Sequence, residues 1–152
     1  TSLVKSTQIK SIIFAQSSGH NETDWEEIAT FARKNGVNDI YLIGPPPKWN
    51  LSLPYVLAYY DLFNSKSTYK NLNKSIMKSI METDKKLSIR FAKNPRITYV
   101  PLTQALCSQR GCLIQIPNAP LNDNTLHFDD GHLSNSGSDF VAREIISNFL
   151  KE

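Results

Sequence analysis

Two short apolar runs separated by one amphipathic helix constrain this chain more than any other feature. Residues 11–16 read Ser-Ile-Ile-Phe-Ala-Gln, a continuous apolar run of strand length, the pattern of a strand buried on both faces of a parallel sheet. A small polar loop follows, Ser17-Ser18-Gly19-His20-Asn21. Thr23 and Glu26 then stand at capping-box spacing, and Trp25, Ile28, Ala29 and Ala32 share one helical face until Gly36. The second run, residues 39–43, breaks sharply at Gly44-Pro45-Pro46-Pro47, because proline cannot supply the donors a strand needs. Open α/β sheets hold ligands at the carboxyl ends of such strands. The loops at 17–21 and 44–49 are therefore expected near a site, although a Pro-rich loop can equally be only a rigid connection.

The rest of the chain continues the pattern. Leu72, Ile76, Ile80, Leu87 and Phe91 follow at roughly helical spacing, closed by Asn94-Pro95. Residues 97–100 read as a third strand, followed by Pro101 and a brief helical turn around Gln104 to Leu106. A last helix over about 136–150 carries Val141, Ile145 and Phe149 on one face, which should dock on the sheet. The 152 residues make one domain, 1–152, and no apolar run approaches the roughly 20 residues of a membrane span. The chain opens on Thr1 and not on Met, as a piece of something longer would. The net charge of +3 comes with Lys66, Lys70, Lys74, Lys78, Lys85 and Lys86 spread through the middle of the chain. Arg is scarce and no aromatic-interleaved motif accompanies these lysines, so they describe a solvated helix face and not a nucleic-acid partner.

The chemistry concentrates in residues 128–137, Phe-Asp-Asp-Gly-His-Leu-Ser-Asn-Ser-Gly. Asp129 stands three residues before His132, and a helix start follows at once. A His near neutral pKa can take a proton from a nucleophile, and an Asp on its other ring nitrogen fixes the tautomer and stabilises the imidazolium. The same string also suits a polar turn capped by Ser134. A third reading groups His127, Asp129, Asp130 and His132 as metal ligands, but paired acidic residues are common in turns and no metal is assigned. Cys107 and Cys112, the only cysteines, could form a small-loop disulfide in an oxidising compartment or remain reduced thiols; without a second pair they do not suggest metal.

In this order, Leu106-Cys107, Cys112, Pro120-Leu121 and Asp129-x-x-His132-Leu133-Ser134-x-x-Gly137 resemble the end of the SGNH hydrolase-like domain fused to family 3 membrane acyltransferases. The strand ending in Gly44-Pro45-Pro46-Pro47 resembles the preceding strand of that domain. The resemblance covers about residues 10–150. It implies an α/β fold, a three-layer flavodoxin-like sandwich with a parallel sheet, on the periplasmic face of the inner membrane as part of a larger membrane protein. It further implies a bridged Cys107–Cys112 pair, His132 as general base and Asp129 as its partner. The partners it implies are a glycan acceptor and an acyl donor delivered by a fused membrane acyltransferase domain. The activity would be acyl transfer to surface polysaccharide or ester hydrolysis on it, without a cofactor.

The family's nucleophile sits in a Gly-Asp-Ser block after the first strand, and this chain contains no Gly-Asp-Ser. By order, residues 11–16 correspond to a later strand, followed by a Gly-x-Asn block. Gly19-His20-Asn21 fits it, so Gly19 and Asn21 are candidates for the oxyanion hole; a turn role serves Asn21 as well. The chain is thus expected to be the C-terminal part of the domain, lacking its first strand and silent on its own. Such a sheet would expose an edge unless an upstream fragment, a dimer or rearranged pairing covered it. The alternative nucleophile is Ser17, on the first turn after a strand, which would complete the site within the chain. A different class of function also fits, a non-catalytic glycan-binding accessory module of a membrane acyltransferase.

Overall fold

The computed structural model describes residues 9–16, 18–59, 69–70, 76–120 and 123–150. In chain order they form β1 (Ser11–Phe14), α1 (Trp25–Lys34), β2 (Asp39–Ile43), α2 (Leu53–Tyr59), β3 (Tyr69–Lys70), α3 (Lys78–Phe91) and β4 (Thr98–Val100). They continue with α4 (Leu102–Leu106), β5 (Cys107–Ser108), β6 (Gly111–Leu113), α5 (Asn135–Glu144) and a 3-10 turn, Ile146–Phe149. Strands β1, β2 and β4 pair in parallel in that order, with Ile12 opposite Ile40 and Leu42 opposite Tyr99.

The continuous apolar run of β2 is explained by burial on both sides. Ile40 and Leu42 join Tyr99 of β4 in a core built with Trp25, Ala29 and Ala32 of α1 and Leu87 and Phe91 of α3. Ile43 and Val100 belong to a second core with Trp49, Leu53 and Leu57 of α2, Leu113, Leu126, and Val141 and Ile145 of α5. Alternate residues of one strand thus feed two cores, the signature of a sheet with helices on both faces. The α/β parallel-sheet expectation holds. At the edge, β1 pairs only with β2 among the described residues, and its Ile13 is half exposed.

Several expected boundaries move. The first strand ends at Phe14 and does not reach Gln16. The cap of α1 is Asp24, whose carboxylate accepts from Glu27 N at 3.0 Å, and not a Thr23–Glu26 box. Thr23 is drawn elsewhere: its hydroxyl donates to the Gly19 carbonyl at 3.1 Å. The long helix starts only at Lys78, because Met77 N donates to Lys48 O and Ile76 bridges Trp49 in extended form; Leu72 lies outside the described residues. The last helix ends at Glu144, where Ile145 leaves helical geometry before the 3-10 turn.

A second, antiparallel sheet, β3-β6-β5, carries the two cysteines. Cys107 and Cys112 face each other across the β5–β6 pair with Cα atoms 3.9 Å apart, and they form a disulfide. The bridge closes a short loop and ties α4 to the core through buried Cys112. Reducing it is expected to lower the unfolding free energy by about 2 kcal/mol, read from denaturant midpoints with and without dithiothreitol. Coincident curves would contradict this.

Candidate active site

The segment from His127 to Leu133 is a tight loop closed by its own backbone. His127 and Leu133 form an antiparallel bridge, and Phe128 N donates to His132 O at 3.1 Å. Inside it, Asp129 Oδ1 accepts from the backbone N–H groups of Gly131 at 2.9 Å and His132 at 2.7 Å, an Asx turn. The other oxygen, Oδ2, lies 2.7 Å from His132 Nδ1. One carboxylate therefore both shapes the loop and orients the ring, leaving Nε2 without a hydrogen-bond partner among the described residues. Desolvation works against the charged carboxylate, but the N–H groups of Gly131 and His132 and the His132 ring outweigh it and bring Asp129 down to about 2.

The loop has no regular structure of its own, and the residues after the Pro-rich break hold it. Trp49 N donates to Asp130 O at 2.7 Å and Leu53 N to Asp129 O at 2.9 Å. Lys48 pairs with Asp130 at 3.2 Å. Beneath, buried Trp49 donates its Nε1–H to Nδ1 of His127 at 3.3 Å. On the far side Ser134 caps α5, accepting from Gly137 N at 2.9 Å while donating to Thr125 O at 2.6 Å. A side chain at Gly137 would collide with the Leu126 carbonyl, so this close approach of helix to loop requires glycine. The Ser134 helix cap and the Asp129–His132 contact are thus parts of one closed loop.

A cleft of about 490 Å3 opens beside His132, lined by Ala15 and Gln16 after β1, Pro45, Pro46 and Lys48 after β2, Ile80 of α3, and Phe128, Asp130, Gly131, Leu133 and Ser138. Of the two loops singled out from the sequence, 44–49 lines the cleft with Pro45, Pro46 and Lys48, whereas on the other side only Ala15 and Gln16, which precede the 17–21 loop, take part. Ser17 lies outside the described residues. Gly19 and Asn21 are in the turn beyond, neither lining the cleft; the Asn21 amide donates to Thr83 of α3 at 3.2 Å. His127 is fully buried and turned toward Trp49, so it does not join Asp129, Asp130 and His132 in a metal cage. Among the described residues no group of three or more His, Cys, Asp or Glu could hold a metal ion.

Three contributors had no clear signal in the sequence: Trp49, the Lys48–Asp130 pair, and Phe128, whose ring stacks on His132 with centroids 5.7 Å apart and planes 17° off parallel. Behind the Pro-rich loop lies a second polar cluster. Asp84 of α3, fully buried, accepts from Tyr99 Oη at 2.6 Å, Gln104 N at 3.0 Å and Gln104 Nε2 at 3.2 Å. Burial pushes the Asp84 carboxyl up and, above all other influences, the neighbouring His20 imidazole down. A Cβ on Gly44 would overlap Tyr99 and Asp84, so only glycine lets β2 end against this cluster.

The fold is that of an SGNH-like α/β domain. The family described as "SGNH domain (fused to AT3 domains)" matches residues 9–147, and the chain belongs to it. None of the curated proteins matches the chain. Among solved structures, the chain is similar to the periplasmic domain of a lipopolysaccharide acetyltransferase from Salmonella ser. Paratyphi A, with a TM-score of 0.71 and 24% identity. The alignment covers 95% of this chain and 58% of that one, so the chain spans little more than half the length of its structural neighbour. No helix among the described residues is long and apolar enough to cross a membrane.

His127 gives the loop a pH dependence. Desolvation, partly opposed by Asp129 and Asp130, lowers its imidazole from 6.5 to about 4. Between those values the unfolded chain binds a proton that the folded one excludes, so stability falls as pH drops from about 6.5 to 4 and this contribution then levels off. The expected loss is roughly 3 kcal/mol. His127→Asn, which keeps an acceptor for Trp49, should flatten that part of the profile, measured as urea unfolding against pH; an unchanged slope would contradict the assignment.

Proposed function

We propose that the chain is the His–Asp half of an acyl-transfer or ester-hydrolysis site acting on surface polysaccharide at the periplasmic face of the inner membrane. The observation that carries the reading is the 2.7 Å contact of His132 Nδ1 with Asp129, in a cleft also lined by Ala15 and Gln16, the residues that follow β1. In this reading a serine attacks an acyl donor while His132 Nε2 takes its proton. The acyl-enzyme forms, and His132 returns the proton to the leaving group. A sugar hydroxyl or water then gives its proton to His132 and attacks the acyl carbon, and His132 passes that proton to the serine Oγ as the acyl–oxygen bond breaks. Asp129, held charged, stabilises the imidazolium in both halves.

The serine in this proposal lies upstream of Thr1, delivered beside the edge of β1 that has no partner strand among the described residues. The absence of Gly-Asp-Ser from the chain and the 58% coverage of the acetyltransferase domain support it. The family's fusion to AT3 domains supports a membrane acyltransferase as the source of the acyl group, and the chain alone should be inactive. Gly19 and Asn21, which do not line the cleft in this structure, would serve as oxyanion donors only if their turn moves to the cleft and the Asn21 amide leaves Thr83. Cys107–Cys112 braces the fold and takes no part in the chemistry.

Labelling with a fluorophosphonate serine probe, on this chain and on the full-length protein, tests the proposal. The expected outcome is no labelling of the short chain and labelling of one upstream serine in the long one. His132→Ala should slow the latter by roughly a thousandfold and Asp129→Asn by about a hundredfold or more. Labelling of Ser17 in the short chain would make it the nucleophile and overturn the upstream assignment. A full-length protein that labels nowhere would favour the non-catalytic glycan-binding module.

A further inference from the structure

Among the described residues, Phe128 is the one large apolar side chain exposed on the cleft wall beside the His–Asp pair, at 62% exposure. An aromatic ring at the mouth of a cleft that also carries polar side chains is a surface on which an amphipathic ligand can stack. The ring stacks on the His132 imidazole with centroids 5.7 Å apart, so a ligand on its open side lies next to the His–Asp pair. Around the same cleft stand the Lys48–Asp130 ion pair, with both side chains partly exposed, and the hydroxyl-bearing Ser138.

We infer that Phe128 is the platform of an acceptor-sugar subsite, on which one apolar face of a pyranose ring stacks while its hydroxyls meet Lys48, Asp130 and Ser138. The inference rests on the acyl-transfer reading and deepens it by assigning the acceptor side of the same cleft. A sugar ring fits these walls because it is amphipathic in the same way. Its axial C–H bonds form an apolar face, and its equatorial hydroxyls point outward as donors and acceptors. The ammonium of Lys48 donates, the carboxylate of Asp130 accepts, and Ser138 does either. An acyl chain fits less well, because it would gain most from an enclosed apolar slot and here it would lie against an ion pair at an open rim. The cleft, at about 490 Å3, is of a size that holds small-molecule ligands. The Pro45-Pro46 lining, with its fixed backbone φ, and the Asx-turn loop supply the preorganisation that makes such weak contacts count.

The test is a binding measurement that needs no turnover. The de-O-acetylated repeat-unit oligosaccharide of the producing cell's own surface polysaccharide is titrated into the full-length protein. Saturation-transfer NMR records which sugar protons receive magnetisation from the phenyl group. The expected result is transfer to C–H protons of one ring face, a Kd raised roughly three- to tenfold in Phe128→Leu, and affinity kept in Phe128→Trp. Leu retains apolar bulk but not the flat ring, so a packing role alone would leave it near wild type. Binding in Phe128→Leu within twofold of wild type, an equal loss in Phe128→Trp, or no binding to the wild-type protein would each overturn the subsite. If the sugar binds at Phe128 but no serine labels, the acyl-transfer reading falls and the subsite stands. If a serine labels and sugar affinity ignores Phe128, the reverse holds.

Discussion

The loop that carries His132 depends on a clamp from the segment that follows β2. An irregular loop has no ladder in which to place its backbone groups, and carbonyls left without partners next to a core cost free energy. Here the carbonyls of Asp129 and Asp130 accept from Leu53 and Trp49, and Trp49 reaches under the loop to His127. The Pro-rich break is what makes this possible. By ending β2 abruptly it turns the chain across the top of the sheet, so that Trp49 enters the core and Lys48 meets Asp130. The Asx turn then fixes the loop from within, and Gly137 lets α5 close on it from the other side.

How much of this was legible differs element by element. β2 and α1 were readable because a continuous apolar run and a 3.6-residue apolar stripe are each set by burial that the residues themselves record. The Asp129–His132 pair was readable because a three-residue spacing allows side-chain contact within one turn. Helix α2 was missed because Pro54 reads as a breaker, yet it sits in the first turn, where its missing N–H is not needed. The antiparallel sheet was missed because strands of two or three residues have no period to detect. The Trp49–His127 bond joins residues 78 apart, and neither side chain announces the other. The N-cap moved by one residue because Thr23 had a better partner in the Gly19 carbonyl.

Two buried histidines frame the site without entering the proposed chemistry. His127 anchors the loop from below, and His20 packs near Asp84 behind the Pro-rich segment. Both are held below their ordinary pKa, chiefly by desolvation, so both oppose acidification of the folded state. His132 differs from them in being open to solvent and supported on one nitrogen only, the arrangement a proton carrier needs. Its support comes from a carboxylate that stays charged well into the acid range.

The most direct test is the tautomer of His132, read from long-range nitrogen–proton correlations at neutral or higher pH with selectively labelled histidine. If Asp129 orients the ring as the 2.7 Å contact implies, the neutral form carries its proton on Nδ1 and leaves Nε2 bare. Asp129→Asn should then release that preference. A wild-type ring protonated on Nε2, or one indifferent to Asp129→Asn, would contradict the central claim that this loop exists to hold a proton acceptor toward the cleft.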